Sequence, residues 1–262
     1  MSEHTSNELM ESEEQYKLLD ASGHPDESVE HLPFPTPTMG SDSANFKSEE
    51  RRGDQLAAYG ALVSMLIFVC ITWFTVFTNN PTSMGWFPVH PLLQSLGIGC
   101  FTYGILTLQP TAHLKTKAAG LRRHQKTMLA VGFPCIALGT LAIEIEKFKR
   151  GHGHFATWHG IFGLVSVGWL VGQVILGGGS VWYGGAAFGG GMKAKMLWKY
   201  HRLSGYVLFP LLLITAHLGG AWSSWATSHS QSAVRFIGYF VAPIVAILAI
   251  YARVRTSKMK FF

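Results

Sequence analysis

Four histidines, His90, His124, His159 and His201, stand at or near the heads of four consecutive apolar stretches. Imidazole can bind a metal through a ring nitrogen, or take up and release a proton near neutrality. A polar ring set in hydrocarbon needs a partner, so histidines inside membrane segments mark function by default. An interfacial histidine wetted by lipid headgroups is an adequate account of any one of them. It is a poor account of four in alternating, matched positions.

The stretches that carry them are membrane-like. Of 262 residues, 48% are hydrophobic and 14% charged, and the mean hydropathy is +0.22, which points to a polytopic membrane protein. Apolar segments of nearly the length needed to cross roughly 30 Å of hydrocarbon fall at 56–77, 86–108, 124–145, 155–176, 200–222 and 234–251. Asn79-Asn80-Pro81, Gln109-Pro110 and Gly177-Gly178-Gly179 read as stops for the first, second and fourth. The expected fold is all-α, with six transmembrane helices and the four central ones gathered into a bundle. Residues 55–255 form the membrane domain.

Charge is placed unevenly. Thirteen of the 15 acidic residues lie in residues 1–54, a segment also rich in Ser and Pro, which cannot bury enough apolar surface to offset the entropy of ordering. It is expected to be a disordered acidic tail. No basic stretch followed by an apolar one opens it, so the first span is expected to act as the anchor. Within it, Glu14-Gln15-Tyr16-Lys17-Leu18-Leu19 resembles an acidic dileucine sorting signal. Residues 256–262 form a short basic tail.

The basic residues of the body sit between the apolar runs, which excludes a nucleic-acid face and suits membrane topology. Lys115, Lys117, Arg122, Arg123 and Lys126 follow the second segment, and Lys193, Lys195, Lys199 and Arg202 follow the fourth. Arg253, Arg255, Lys258 and Lys260 close the chain, while the opposite loops hold only Lys147, Lys149, Arg150 and Arg235. By the positive-inside rule both termini are expected in the cytosol. His90 and His159 then lie near the outer face and His124 and His201 near the cytosol, giving two pairs at two depths roughly 20 Å apart. Two neutral imidazoles from facing helices are the usual axial ligands of a b-type haem. Gly97, Gly99, Gly132, Gly160, Gly163 and Gly205 would give a flat porphyrin room, or serve ordinary close helix packing.

His90-Pro91, Arg123-His124-Gln125, Trp158-His159-Gly160 and His201-Arg202-Leu203-Ser204-Gly205, spread over six spans, resemble the eukaryotic cytochrome b561 family. The resemblance covers roughly residues 54–255. It implies two haem b groups, the outer one on His90 and His159 and the cytosolic one on His124 and His201. It also implies an oxidoreductase of the endomembranes (vesicle, endosome, vacuole or lysosome) or the plasma membrane. Electrons would pass from cytosolic ascorbate, or another small reductant, to monodehydroascorbate or ferric iron, with a homodimer as one assembly the family allows. An Ala-Leu-Leu-Val-Tyr-Arg type of sequence, associated with ascorbate in the chromaffin-granule branch, is absent, and Arg122-Arg123-His124-Gln125-Lys126 opens the third segment. The divergent members with b561 domains are the closer match.

Other residues have lesser claims. Lys117, Arg122, Arg123 and Lys126 could attract anionic ascorbate, although topology alone accounts for such charges. His152 and His154, beside His159, could contact the acceptor or bind a metal if a third ligand is near, although a solvated loop explains them as well. Glu144 and Glu146 mark the outer end of the third span. His217 follows His201 by sixteen residues, which puts the two rings about 160° apart on a helix, so it is an interfacial residue or a neighbour of the outer haem. His113 and His229 are placed in loops. No Cys-x-x-Cys or dinucleotide fingerprint occurs, so the donor must be a diffusible molecule or a partner protein. Two alternatives stay open: a haem-free proton or metal transporter, and a haem subunit that passes electrons for a partner.

Overall fold

The computed structural model of the protein describes residues 51–109, 114–256 and 259. The dileucine-like stretch, nearly all of the acidic tail and His113 lie outside them. Six helices are long and apolar enough to cross a membrane: Asp54–Phe77, Val89–Leu108, Thr116–Arg150, Trp158–Gly179, Gly191–Trp222 and Ser232–Ala252. No strand occurs among the described residues. The chain is an all-α multi-pass membrane protein, and the six helices are here called the first to sixth spans.

Two spans start well before their expected limits. The third is helical from Thr116, so His124 lies two turns inside it and Lys117 through Lys126 ride on the helix. The fifth is preceded by a short helix, Gly191–Met196, that leads into Trp198–Trp222. Hydropathy misses both extensions because their residues are basic, and a helix does not need to be apolar where it leaves the membrane.

Both π-helical turns stand just before a proline. Lys126–Gly132 precedes Pro134, and Ile237–Val241 precedes Pro243. Proline lacks the N–H that would close the α-helical bond and its ring crowds the carbonyl four residues back; a wider turn relieves both problems.

The glycine run at Gly177 through Gly179 forms the last turn of the fourth span, which ends at Gly179. A Cβ built on Gly177 would stand 2.7 Å from His201 Cε1, one on Gly178 2.7 Å from Trp182 Cζ3, and one on Gly179 2.7 Å from Phe188 Cε2. Each bare Cα admits a ring, so the run is kept in the last turn for closeness. The turn that follows is left-handed at Tyr183, Gly184 and Gly185, and Gly185 at φ +77° has no space for a side chain beside Ala194.

The second span packs on the third, the fourth on the fifth, and the first on the second and sixth. A core of Met65, Phe68, Phe101, Leu208, Leu212 and Tyr239 knits the first, second, fifth and sixth spans together. Lipid tails are as apolar as these side chains, so close packing and interhelical hydrogen bonds, worth about 0.6 kcal/mol each, hold the helices. Trp73 Nε1 donates to Leu92 O at 3.2 Å, Gln94 Nε2 to Thr140 Oγ1 at 2.9 Å, and Tyr239 Oη to Thr72 Oγ1 at 3.0 Å. At one end of the bundle, buried Arg253 donates to Gln109 Oε1 at 3.2 Å and to the carbonyl of Asp54. Gln109 Nε2 donates to Ile250 O at 3.1 Å. The first span therefore begins and the sixth ends on the same side.

Candidate functional site

The structure brings the four histidines together in two pairs. The rings of His90 and His159 have centroids 5.8 Å apart and cross at 82°. Those of His124 and His201 lie 6.3 Å apart and cross at 89°. Each pair takes one ring from the second–third hairpin and one from the fourth–fifth, and these two hairpins otherwise touch each other sparsely.

Each ring is held by the neighbouring helix of its own hairpin. His90 Nδ1 donates to Gly139 O at 3.0 Å, and His124 Nδ1 to Gly104 O at 3.1 Å. His159 Nδ1 donates to Thr215 O at 2.8 Å, and a Cβ on Gly219 would stand 2.7 Å from His159 Cε1. The ring of His201 lies on Gly177 in the same way. A carbonyl can only accept, so in these three rings Nδ1 carries the proton and Nε2 keeps its lone pair.

Helix geometry fixes the separation of the two levels. Gly104, which holds His124, follows His90 by fourteen residues, or about 21 Å along a helix. Thr215, which holds His159, follows His201 by fourteen as well. Antiparallel neighbours of this length place a histidine of one helix beside the far end of the next.

The residues fit a haem iron between each pair. Two metal–imidazole bonds of roughly 2 Å put facing ring centroids about 6 Å apart, close to both observed spacings. The donor set is two imidazoles whose outer nitrogens are engaged, the arrangement that orients a histidine for metal. Glycines under two of the rings, and hairpins that scarcely pack on each other, leave a flat group room.

The glycines that matter are Gly104, Gly139, Gly177 and Gly219. The six expected ones do not touch the rings: Gly97 meets Ile136 and Gly132 meets Phe101 in helix contacts, and Gly205 stands beside Gln173. The signal was spacing, since each histidine is followed by one of the four after fourteen to eighteen residues. Antiparallel pairing carries that glycine to the next helix's histidine. Gln173 also escaped notice: it is buried and its amide lies against His201.

The peripheral candidates divide between the two ends. Arg122, Arg123 and Lys126 are exposed around His124, and Lys117 is half-buried on the same helix. At the other end His152 and His154 are exposed, and His154 pairs with Glu144, which also accepts from Lys147 at 3.2 Å. No cluster of three metal-ligating side chains occurs among the described residues, so the two loop histidines lack a third ligand. Glu146, buried, accepts from the backbone N–H of Trp86 at 2.8 Å and pairs with Arg150, fixing the loop that leads to His90.

His217 faces away from both pairs. Its Nδ1 donates to Tyr239 O at 2.7 Å and its Nε2 accepts from Trp222 Nε1 at 3.0 Å. Nδ1 ties the fifth span to the sixth beside the second π-turn, and Nε2 is taken by a residue of its own helix. His229, expected in a loop, ends a short helix, Ser224–His229, with its ring stacked on Trp225 at 5.1 Å.

The transmembrane reductase CYB561D2 of Bos taurus is 28% identical over 201 residues, which cover 73% of this chain and 85% of that protein. It is a divergent member with a b561 domain. Residues 89–227, just over half of the chain, match the model of eukaryotic cytochrome b561, and they span all four helices that carry the paired histidines. The chain therefore belongs to the eukaryotic cytochrome b561 family, the haem b electron-transport proteins of membranes.

Proposed function

We propose that the protein carries electrons across a membrane through two haem b groups, one held by His90 and His159 and the other by His124 and His201. The observation that supports this most is the repetition of the pair: facing imidazoles stand at both ends of the same four helices. Haem at each level supplies a one-electron carrier. The chain fixes the tautomers of His90, His124 and His159 through Nδ1, sets the levels about 20 Å apart along the helices and surrounds them with apolar side chains.

Basic loops, the start of the first span and the end of the sixth share the His124–His201 end, which supports a cytosolic location for that end. The donor there is ascorbate, an anion suited to Lys117, Arg122, Arg123 and Lys126. The acceptor at the opposite face is ferric iron or monodehydroascorbate, reached beside His152, His154 and Glu144. A relative named a transmembrane reductase supports electron transfer to an acceptor.

Purified protein tests the cofactor: a sharp dithionite-reduced α band and two haems per chain are expected, and a folded, colourless preparation would refute the reading. Vesicles with ascorbate inside and a ferric chelate outside test the reaction. Iron reduction no faster than in empty vesicles would refute the donor and acceptor.

A further inference from the structure

His90 grips the third span at one carbonyl, and the residue four positions on grips the same turn. His90 Nδ1 donates to Gly139 O at 3.0 Å. Gln94, half-buried, donates through Nε2 to Ile136 O at 3.1 Å and to Thr140 Oγ1 at 2.9 Å. Residues four apart lie on one face of a helix, about 6 Å apart along its axis, so the two side chains hold residues 136–140 from one side. The approach is close because Gly139 is bare. A Cβ there would stand 3.2 Å from Leu93 Cβ, 3.3 Å from Gln94 Nε2 and 3.3 Å from His90 O.

The other level of the same hairpin repeats the plan with a different residue. His124 Nδ1 donates to Gly104 O, and the residue four on, Met128, lies against that glycine: a Cβ on Gly104 would stand 2.8 Å from Met128 Cε and 3.2 Å from its Sδ. Met and Gln side chains are unbranched and of the same length. A thioether fills the gap between two helices, but it donates no hydrogen bond. An amide in hydrocarbon is costly without partners, and Gln94 directs its N–H groups to the turn that carries the Gly139 carbonyl. Packing alone does not call for Gln94, since Met128 packs the equivalent place. What the amide adds is a fixed position for that turn.

We infer that Gln94 is a positioning residue for His90: by pinning the turn from Ile136 to Thr140 it holds the Gly139 carbonyl against Nδ1 and so sets the strength of that hydrogen bond. The inference rests on the reading that His90 and His159 hold a haem. A firmly held acceptor at Nδ1 makes the imidazole a more basic ligand. A more basic ligand favours ferric over ferrous iron, which lowers the midpoint potential. Release of the turn weakens the bond, and the midpoint then rises.

The test is a redox titration, with electron paramagnetic resonance of the ferric state, on the full-length protein with both haems present. Gln94→Met installs the side chain used at the other level of the hairpin. Thr140→Val keeps the shape and removes one of the two acceptors. His90→Ala and His201→Ala, each expected to lack one haem, assign the signals to the two levels. Both test variants should retain two haems per chain. The midpoint of the His90 level should rise, more in Gln94→Met than in Thr140→Val, and its low-spin signal should move, while the other haem keeps its midpoint and its signal. An unchanged or lowered midpoint at the His90 level, or an equal shift at both levels, would overturn the inference. If Gln94→Met folds poorly or loses that haem, Thr140→Val decides by the same criteria. If His90→Ala leaves both haems in place, the ligand reading fails and not merely the role of Gln94.

Discussion

At the His90–His159 level both Nδ1 atoms donate to main-chain carbonyls; at the His124–His201 level His124 does so as well, and His201 is held by the main chain of Gln173 with that residue's side-chain amide also against the ring. The charges differ. Around His90 and His159 an acid, a lysine and a histidine neutralise one another, as Glu144 with Lys147 and His154. Around His124 the exposed groups are cations, and the acid at that end among the described residues, Asp54, is buried and paired with Arg255. One end is nearly neutral. The other is positive among the described residues. The same ring geometry is thus set in two different charge environments.

The largest break in this comparison comes from the ligands. His201→Ala and His90→Ala should each reduce haem from two to one per chain, as read by pyridine haemochrome, and each should bring transfer across vesicles down to the empty-vesicle rate. Two levels in series cannot substitute for each other. Removal of both haems by either change would show that the pairs are not separate sites.

Next come the glycines under the rings. Gly219→Val and Gly177→Val place a side chain where a Cβ already stands 2.7 Å from an imidazole carbon. Helical backbone cannot retreat by an ångström without losing its partners, so the ring must move. Loss of such support to a metal ligand typically weakens binding by roughly 10–100-fold. Gly219→Val should weaken retention at the His90–His159 level alone, and Gly177→Val at the other alone, measured by haem loss to apomyoglobin. Equal loss from both levels in either variant would count against the assignment of each glycine to one ring.

Much of this plan is readable in the chain. The apolar runs give six spans, and the alternation of span direction gives two depths for His90, His124, His159 and His201. Hydropathy reports which residues tolerate lipid, and it is silent where a helix leaves lipid; this hides the helix around Lys117 and the short helix before Trp198. Glycine has two uses in a membrane helix, helix contact and ring contact. Composition does not separate them at Gly97 or Gly177, because the difference depends on which neighbour faces the bare Cα. Gln173 was hidden for a related reason. A lone polar residue in an apolar run resembles any other until the fifth span is laid beside it.

A smaller effect is expected from the cationic end. Replacing Lys117, Arg122, Arg123 and Lys126 together by Gln should lower the second-order rate of reduction by ascorbate at low salt by roughly 10-fold, through loss of steering. The wild-type rate should fall toward that of the variant as ionic strength rises, because screening removes the same attraction. Haem content should not change. A rate insensitive to both changes would assign those charges to topology alone.

The smallest effect belongs to the neutral end, and it tests whether that end selects its acceptor by charge. Glu144 is engaged by Lys147 and His154, so Glu144→Gln leaves a lysine uncompensated and His154 without its partner. Partly exposed pairs of this kind contribute about 0–1 kcal/mol, so the fold should survive. The local field turns more positive, which should favour an anionic ferric chelate and disfavour a cationic one, each by a few-fold in KM. His154→Ala should change both acceptors in the same direction if the imidazole contacts them, because it removes a surface and not a charge. Donor kinetics at the opposite end should be unaltered in both variants. If the two chelates respond alike to Glu144→Gln, the neutral end does not discriminate by charge.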